Sequence, residues 1–503
     1  MASKTVDGDL VSDEKPALEN EKEKLDVLEK PSPPLTTSSS SISDREEINE
    51  KAILRKLGYK LLPPLTLLHL LSFLDRSNVG NAKLEGLAAD MNFTDTQYLS
   101  TLTIYFIGYV IFEVPANIVL KKTTPQFWLP TTMVAWGIVA TLLGVCKNFN
   151  GFLVARFSLG ATESGLFIGV VFYLSMWYKR SETTYRVALF FSAASLAGAF
   201  GGILAFGIAH MRGIAGLNGW SWIFILEGIL TVVVAFAAYG FIHNYPKTAK
   251  FLTEPEREFV QARLKADNDA TNHKPFSWAS VLRAVKDPKC WLYGLAFHTL
   301  SLPLYTLSLF LPTIIKALGY TAAQAQLMSV PPYAVATVLT VLVAVASEKA
   351  KRRAPFIIGS SVVAIIGYII LLSAPSDKPG VSYVGTIFAA AGIYPATGTV
   401  LAWPANNVSG QTKRATANAM QISIGNLGAV LGTQLYRPST KPRYYLGHGF
   451  AAGYLLANIL VALTIWAVLA RENKRKLESE RSAVVDESPI ENDDDGDGSF
   501  RFN

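Results

Sequence analysis

The sequence predicts an all-α membrane protein in which twelve transmembrane helices form two pseudo-symmetric six-helix bundles. Half of the 503 residues are hydrophobic and only 17% are charged, whereas about 25% of the residues in a soluble domain are charged. The apolar residues occur in stretches of about twenty, the length that a helix needs to cross a ~30 Å hydrocarbon core. A long polar stretch divides these segments into two sets of six.

Twelve segments meet this description, and we number them span 1 to span 12 in chain order. They lie near residues 58–74, 97–120, 127–146, 152–177, 187–210, 220–242, 289–313, 326–346, 354–373, 381–403, 415–436 and 448–470. Because their number is even, both termini are predicted to lie on the same side of the membrane, here called the terminal side.

The basic residues indicate which side that is. The net charge is +7, but the basic residues stand in short loops between apolar segments, which is not the pattern of a nucleic-acid-binding patch. Most lie in loops on the terminal side, such as Lys121–Lys122, Lys349–Arg353 and Arg471–Lys476. Since cytoplasmic loops carry the excess of Lys and Arg, both termini are predicted to be cytoplasmic. We expect a multi-pass protein of the plasma membrane, with the lipid bilayer as a partner and no nucleic acid.

Composition divides the chain into five parts. They are predicted to be a disordered cytoplasmic N-terminal tail (1–50), an N-terminal six-helix bundle (51–243), a cytoplasmic connector (244–288), a C-terminal six-helix bundle (289–472) and a disordered cytoplasmic C-terminal tail (473–503). The connector is expected to be partly helical, because Thr253-Glu-Pro-Glu combines a capping residue with a proline in the first helical turn.

The two halves resemble each other in several places. Basic loops follow both span 2 and span 8, and spans 5 and 11 are both rich in small residues. Small residues allow helices to approach closely, as moving helix pairs must. Duplicated six-helix halves around a site at the membrane midplane are typical of a secondary transporter.

Other activities are not indicated. The sequence has no phosphate-binding Walker loop, so ATP is not expected to drive transport directly. No Ser/His/Asp constellation stands out, and the two cysteines, Cys146 and Cys290, provide neither a disulfide framework nor a metal-site spacing. We therefore expect no enzyme activity, no metal and no cofactor.

Two charged residues in span 4 are candidates for transport chemistry. Arg156 and Glu163 are seven residues apart, so both project from one helix face, about 10 Å from each other. Gly160 lies between them and leaves room for a ligand or a neighbouring helix. Since a charge at the bilayer centre costs about 2.5–3.5 kcal/mol, both should face a central cavity. Arg156 can hold a carboxylate by a bidentate fork, and Glu163 can alternate between protonated and charged forms. The alternative is a static ion pair, either within span 4 or between helices.

Other polar residues stand near the predicted cavity. Asp75 and Arg76 close span 1, where position alone also allows interfacial residues that cap a helix. Glu113 in span 2 and Glu227 in span 6 are expected to be gate or packing hydrogen-bond partners. Asn92-Phe-Thr is a possible glycosylation site in the first outer loop, or alternatively a helix start. Residues that could further shape the substrate pocket are Tyr109, Tyr305, Gln421 and Asn426.

The loops on the terminal side are predicted to gate the cavity. The basic residues after span 8 include Lys349, Arg352 and Arg353, which can pair with acidic groups or helix C-terminal carbonyls of a neighbouring helix. The matching loop after span 2 has only Lys121 and Lys122. The second-half loop is therefore expected to contribute more to closure.

Five strings in the sequence resemble a known family. They are Phe73–Lys83 (FLDRSNVGNAK), Phe112–Asn117 (FEVPAN), Arg156–Gly165 (RFSLGATESG), Trp222–Gly228 (WIFILEG) and Gly410–Ala417 (GQTKRATA). Together they resemble the anion:cation symporter branch of the major facilitator superfamily, which includes the fungal allantoate, nicotinate and pantothenate permeases. The resemblance covers about residues 50–472. The loop after span 2 departs from it, because it lacks the Gly-x-x-x-Asp-Arg form of the superfamily's gating motif.

The resemblance implies proton-coupled symport of a small organic anion into the cytoplasm by alternating access, with nicotinate, pantothenate and allantoate among the candidate substrates. It also implies that Asp75 takes part in proton coupling and that Arg76 faces the substrate, as in the related galactonate and vesicular glutamate transporters. Two other functions stay open: proton-driven efflux of a metabolite or toxin by the same fold, and a nutrient receptor with little transport. A monomer is expected.

Overall fold

The computed structural model describes residues 49–486, apart from 267–277, 376 and 409. The predicted N-terminal tail, 1–50, therefore lies almost wholly outside the described residues, as does the C-terminal end of the chain. Within the described ranges the secondary structure is entirely helical, without a strand. The predicted all-α fold is confirmed.

The helices follow the predicted order. The twelve spans are Glu50–Leu84, Asp95–Lys122, Pro125–Leu143, Phe149–Glu163 with Leu166–Ser175, Arg180–Ala209, Gly219–Phe241, Pro288–Ala317, Ala322–Met328 with Val330–Ala350, Ala354–Ser373, Pro379–Asn407, Gln411–Gly432 and Tyr445–Asp486. In the described residues three further α-helices lie between spans: Leu87–Asp90 after span 1, and Glu254–Ala266 and Trp278–Lys286 in the connector. Three short 3-10 helices also connect spans, at Ile214–Gly216, Pro246–Thr248 and Pro438–Thr440.

Span 11 differs from the others in polarity. In the described part of the chain, eleven helices are long and apolar enough to cross a membrane, and Gln411–Gly432 is not among them. It packs against spans 7 and 2, and its polar residues Gln421 and Asn426 are buried. A helix that faces the protein interior and not lipid does not need a uniformly apolar surface. Its polarity is consistent with its place in the bundle.

The predicted C-terminal tail is partly wrong. Span 12 continues as one helix to Asp486, so residues 473–486 are helical and not disordered. Charged side chains of opposite sign recur at helical spacing in this segment, as in the pair Lys474–Glu478, whose charged atoms are 3.8 Å apart. Such i,i+4 pairs stabilise an exposed helix by a few tenths of a kcal/mol each. The polar composition of the segment, on which the prediction of disorder is based, does not reveal this effect.

The first outer loop contains a regular helix start. Thr94 is the N-cap residue of span 2: its hydroxyl accepts from the Gln97 backbone N–H at 3.2 Å, and the Gln97 side chain accepts from the Thr94 N–H at 2.9 Å. Asn92 precedes this capping box, is exposed, and adopts a left-handed backbone with φ 52°. The alternative interpretation of Asn92-Phe-Thr as a helix start therefore describes the loop, and glycosylation of Asn92 stays a prediction.

Spans 2 and 4 are in backbone contact, and glycines make this possible. A Cβ added at Gly160 would overlap the carbonyl oxygen of Tyr105, and one added at Gly108 would overlap the carbonyl oxygen of Phe157. The room left by Gly160 is thus taken by span 2, the second of the two occupants that the sequence suggested. The contact places Tyr105 and Tyr109 of span 2 beside the charged residues of span 4.

Replacing Gly160 with alanine should lower the thermal stability of the protein, because the methyl group forces two backbones apart. Overpacking of this kind costs about 1–3 kcal/mol. Thermal unfolding of the purified protein, monitored by size-exclusion chromatography, measures the effect. Gly207→Ala in span 5 is the control, since a Cβ there meets no atom within 4 Å. Equal unfolding temperatures for the two variants would contradict the prediction.

Candidate functional site

A buried ion pair joins spans 1 and 4 at the centre of the bundle. The Glu163 Oε1 atom accepts from Arg76 Nη2 at 2.6 Å and from the Ser72 hydroxyl at 2.5 Å, and Oε2 accepts from the Tyr105 hydroxyl at 2.7 Å. Glu163 is 0% exposed and Arg76 is 6% exposed. Both carboxylate oxygens of Glu163 therefore have a donor, as a buried charge requires.

Arg76 also links the first six spans to the last six. Its Nη1 atom donates to the hydroxyl of Tyr305, on span 7, at 2.6 Å. The rings of four aromatic residues surround its guanidinium, with centroids 5.2–5.8 Å from Cζ, in a geometry that favours cation–π attraction; they are Phe73, Tyr105, Tyr109 and Tyr305. The structure thus brings Arg76, Tyr109, Tyr305 and Glu163 together in one cluster.

Arg156 lies beside this cluster but is not part of its ion pair. It is 1% exposed, its Nε donates to the Thr101 carbonyl at 3.3 Å, and its Cζ lies 5.4 Å from the centroid of the Tyr105 ring. Its Nη1 atom is buried and has no hydrogen-bond partner in the described part of the chain. Among the described residues no carboxylate lies within ion-pair distance of this guanidinium. Arg156 and Glu163 thus do not pair with each other, whereas Glu163 takes part in an interhelical ion pair, which the sequence left open as an alternative. Arg156 retains donors that an anionic ligand can use.

Asp75 points away from the central cluster, although it is adjacent to Arg76 in sequence. Its Oδ2 atom accepts from the indole of Trp136 at 3.2 Å and from the hydroxyl of Thr231 at 2.9 Å. These residues belong to spans 3 and 6, so Asp75 lies between three helices of the first half. Both Asp75 and Arg76 are buried inside a continuous helix, and the alternative of interfacial capping residues is wrong.

Another buried carboxylate, that of Glu113, connects the halves through spans 2 and 11. The Glu113 Oε2 atom accepts from the Ser423 hydroxyl at 2.6 Å, while its Oε1 atom is buried and meets no hydrogen-bond partner among the described residues. On span 11, Gln421 donates to the Val400 carbonyl at 2.9 Å, and Asn426 is buried. Glu227, the remaining acid considered, accepts a hydrogen bond from Asn78.

Of the three basic residues predicted to gate the cavity, two lie at the surface of the terminal side. Lys349 and Arg352 are exposed. Arg353 is buried, and its Nη2 atom is 2.8 Å from an oxygen of Glu348. This carboxylate lies in the last turn of span 8, just before the loop, whereas the sequence suggested a partner on a neighbouring helix. The structure does not bring these residues to the central cluster.

Several hydrogen bonds join the halves on the side opposite the termini. The hydroxyl of Thr103 is 2.7 Å from that of Thr433 and accepts from Gln434 at 2.7 Å. Gln326, in the first helix of span 8, donates to Glu85, just after span 1, at 2.9 Å. These contacts close the bundle above the site on this side.

Sequence reasoning missed three residues of the site: Ser72, Tyr105 and Ser423. Ser72 precedes Arg76 by four residues, and Tyr105 precedes Tyr109 by four, so each pair lies on one helix face. That spacing could have identified the first two. Nothing in the sequence marks Ser423 as the partner of Glu113, because their contact depends on how the two halves meet.

Comparison with known proteins decides the family. The family model described as the Major Facilitator Superfamily matches residues 65–433. The chain belongs to the major facilitator superfamily. The predicted family is confirmed, and the protein is a multi-pass membrane transporter and not an enzyme.

Fungal members of the superfamily are similar to this chain over most of its length. The "MFS-type transporter cnsO" of Penicillium expansum is 38% identical over 463 residues, which cover 88% of this chain and 89% of that protein. The "High-affinity nicotinic acid transporter" of Saccharomyces cerevisiae is 32% identical over 452 residues, covering 90% and 83% of the two chains.

Solved structures show the same fold. The chain aligns with the superfamily's proton:xylose symporter XylE with a TM-score of 0.64 at 16% identity, over 82% of this chain and 96% of that one. A bacterial homologue of the human lysosomal transporter Spinster, in an inward-facing and unoccupied conformation, gives a TM-score of 0.59 at 15% identity, over 81% and 95%. At these identities the likeness extends to the fold alone.

Proposed function

We propose that this transporter carries a small organic anion into the cytoplasm together with a proton, and that nicotinate or a related carboxylate is the first candidate substrate. The observation that carries the proposal is Arg156, a fully buried guanidinium with unused donors beside the Arg76–Glu163 ion pair. A buried cation without a counter-ion is unfavourable, and a bound carboxylate would supply one. The similarity to a nicotinic acid transporter supports the choice of substrate class.

The ion pair suggests how proton and anion are coupled. While Glu163 is charged, it neutralises Arg76 at 2.6 Å. Protonation of Glu163 removes that charge and leaves Arg76 as a second positive group near Arg156. The site then binds an anion more strongly, so that proton and substrate occupy it together. In this mechanism Arg156 and Arg76 bind the substrate, Tyr109 and Tyr305 orient it, and Glu163 carries the proton.

Asp75 has a separate place in the proposal. Its carboxylate is held by Trp136 and Thr231 and does not reach the substrate cluster. Because it shares a helix with Arg76, a proton on Asp75 can act through the packing of span 1 against spans 3 and 6. Glu113, through its hydrogen bond with Ser423, is proposed to hold spans 2 and 11 together when the terminal side is closed.

Uptake measurements test the proposed function. Cells lacking their own carriers and expressing the protein should accumulate at least one of labelled nicotinate, pantothenate and allantoate. Accumulation should be faster at acidic external pH and should collapse when a protonophore removes the gradient. Cells expressing the Glu163→Gln/Arg156→Ala double variant are the control. Gradient-driven loss of a preloaded substrate would indicate efflux, and specific binding without flux would indicate a receptor; either result contradicts symport.

The orientation and location are also part of the proposal. The basic loops on the terminal side support cytoplasmic termini. We propose this orientation, with the plasma membrane as the location and a monomer as the functional unit. Accessibility of an epitope tag at each terminus, before and after permeabilisation of intact cells, tests the orientation. Labelling of either tag in intact cells would contradict it.

A further inference from the structure

A cavity of about 210 Å³ opens on the terminal side of the last six spans, away from the central site. One wall is the loop between spans 8 and 9 and the first turn of span 9, from Lys351 to Pro355. Trp403, near the end of span 10, and the span 12 residues Trp466, Leu469 and Asn473 form the rest. Basic and apolar groups thus line the same space.

The cavity has an excess of positive charge. The last turn of span 8 and the loop after it contain four basic residues, Lys349, Lys351, Arg352 and Arg353, against the single carboxylate of Glu348. That carboxylate is engaged by Arg353 at 2.8 Å. On span 12 the nearest acid in sequence, Glu472, is 3.0 Å from Lys289. Lys351 and Arg352 are exposed at the rim and can bind an anionic group.

The apolar part of the cavity continues into the membrane. On span 12 the exposed residues Leu456, Leu460, Leu463 and Trp466 follow one helix face and end at the cavity. On span 9 an exposed stripe runs from Pro355, in the cavity wall, through Val362, Ile366 and Ile369. The two helices pack together, with Ser361 and Asn458 hydrogen-bonded at 3.1 Å. The surface between the two stripes, here called the groove, runs along spans 9 and 12 to the basic rim.

We propose that this cavity binds the headgroup of an anionic phospholipid in the leaflet on the terminal side, with the acyl chains along the groove between spans 9 and 12. Basic pockets between transmembrane helices and tryptophan at the membrane boundary both suit a lipid headgroup. A free phosphate ester would use the basic rim but would gain nothing from Trp466, Leu469 and the groove. A bound lipid connects the loop after span 8 to span 12 and therefore restrains the movement of that loop.

Native mass spectrometry of the purified full-length protein tests the proposal. The protein in detergent is titrated with dioleoylphosphatidylserine and, separately, with dioleoylphosphatidylcholine. We expect the serine lipid to bind more tightly, and Lys351→Gln/Arg352→Gln to weaken it roughly thirtyfold, since each basic residue near the surface contributes about one factor of five. Trp466→Ala should weaken both lipids several-fold.

The matched control is Lys474→Gln/Arg475→Gln, which removes the same charge from exposed positions of span 12 outside the cavity. It should leave the affinity for the serine lipid within about twofold of the wild type. Equal losses in the two double variants would overturn the proposal, because they would show a general effect of surface charge. If the first double variant does not fold, Arg352→Gln alone should weaken binding about fivefold, and wild-type affinity would overturn the proposal.

Inorganic phosphate distinguishes the two sources of an anionic group. Added at the lipid concentration, it should leave the bound serine lipid in place, since only the lipid also uses the groove. Displacement of the lipid by phosphate, together with unchanged lipid affinity in Trp466→Ala, would show a site for free anions and overturn the assignment to a lipid.

Discussion

Replacing Arg156 with alanine should weaken binding of the transported anion by roughly 30-fold to several-thousand-fold. Loss of one partner of a desolvated charge pair costs about 2–5 kcal/mol. Arg156 is 1% exposed and its Nη1 atom has no partner within the described protein, so a bound carboxylate is the group that would satisfy it. Arg156→Lys should also be severe, because an ammonium cannot reproduce the planar fork of a guanidinium.

Equilibrium binding of labelled substrate to purified protein measures this effect. Arg257→Ala is a suitable control, since Arg257 lies in the connector and pairs with Glu254 of the same helix at 2.8 Å. That variant should bind substrate as the wild type does. Wild-type affinity in a correctly inserted Arg156→Ala protein would mean that the arginine is structural or that the substrate is not an anion.

The helical framework could be predicted because the bilayer imposes it. A span must be about twenty residues long and apolar where it meets lipid, and both requirements leave a direct pattern in the sequence. The pattern weakens where a helix meets protein: span 11 is the case in point, since Gln421 and Asn426 are buried and lower its hydropathy. The segment 415–436 is nevertheless predicted as a span, because its apolar and small residues still form a stretch of about twenty.

The charged residues of the site could be predicted, but their pairing could not. The helical repeat puts Arg156 and Glu163 on one face, and both are buried as expected. Their spacing does not say that Glu163 would meet Arg76 of span 1. That contact depends on the rotation of span 1 against span 4, which a single sequence does not contain.

The same reasoning explains the neighbours of Asp75 and Arg76. Adjacent residues on a helix point about 100° apart, so the side chains of Asp75 and Arg76 cannot both face the cluster. Packing decides which: Trp136 and Thr231 hold Asp75 between spans 1, 3 and 6, and Arg76 turns to Glu163 and Tyr305. The two roles that the resemblance implies, proton coupling for Asp75 and substrate contact for Arg76, thus fall in two separate environments.

Replacing Glu163 with glutamine should abolish concentrative uptake while leaving exchange of substrate across the membrane intact. The amide keeps the size of the carboxylate and an oxygen that can accept from Arg76, Ser72 or Tyr105, but it cannot gain or lose a proton. Arg76 then faces a neutral group in every conformation, as it would beside a protonated Glu163, so substrate binding is retained and coupling is lost.

Proteoliposomes separate these two activities. With an imposed proton gradient, the wild type should accumulate labelled substrate, whereas Glu163→Gln should only equilibrate it; with unlabelled substrate inside and no gradient, both should show counterflow. Glu227→Gln is the matched control, since Glu227 is equally buried but accepts from Asn78 and lies within ion-pair distance of no cation in the described residues. It should still accumulate substrate. Full accumulation by Glu163→Gln would show that this residue takes no part in proton coupling. Loss of both accumulation and counterflow would show that the charge of Glu163 is needed to maintain the binding site and not to couple transport to the proton gradient.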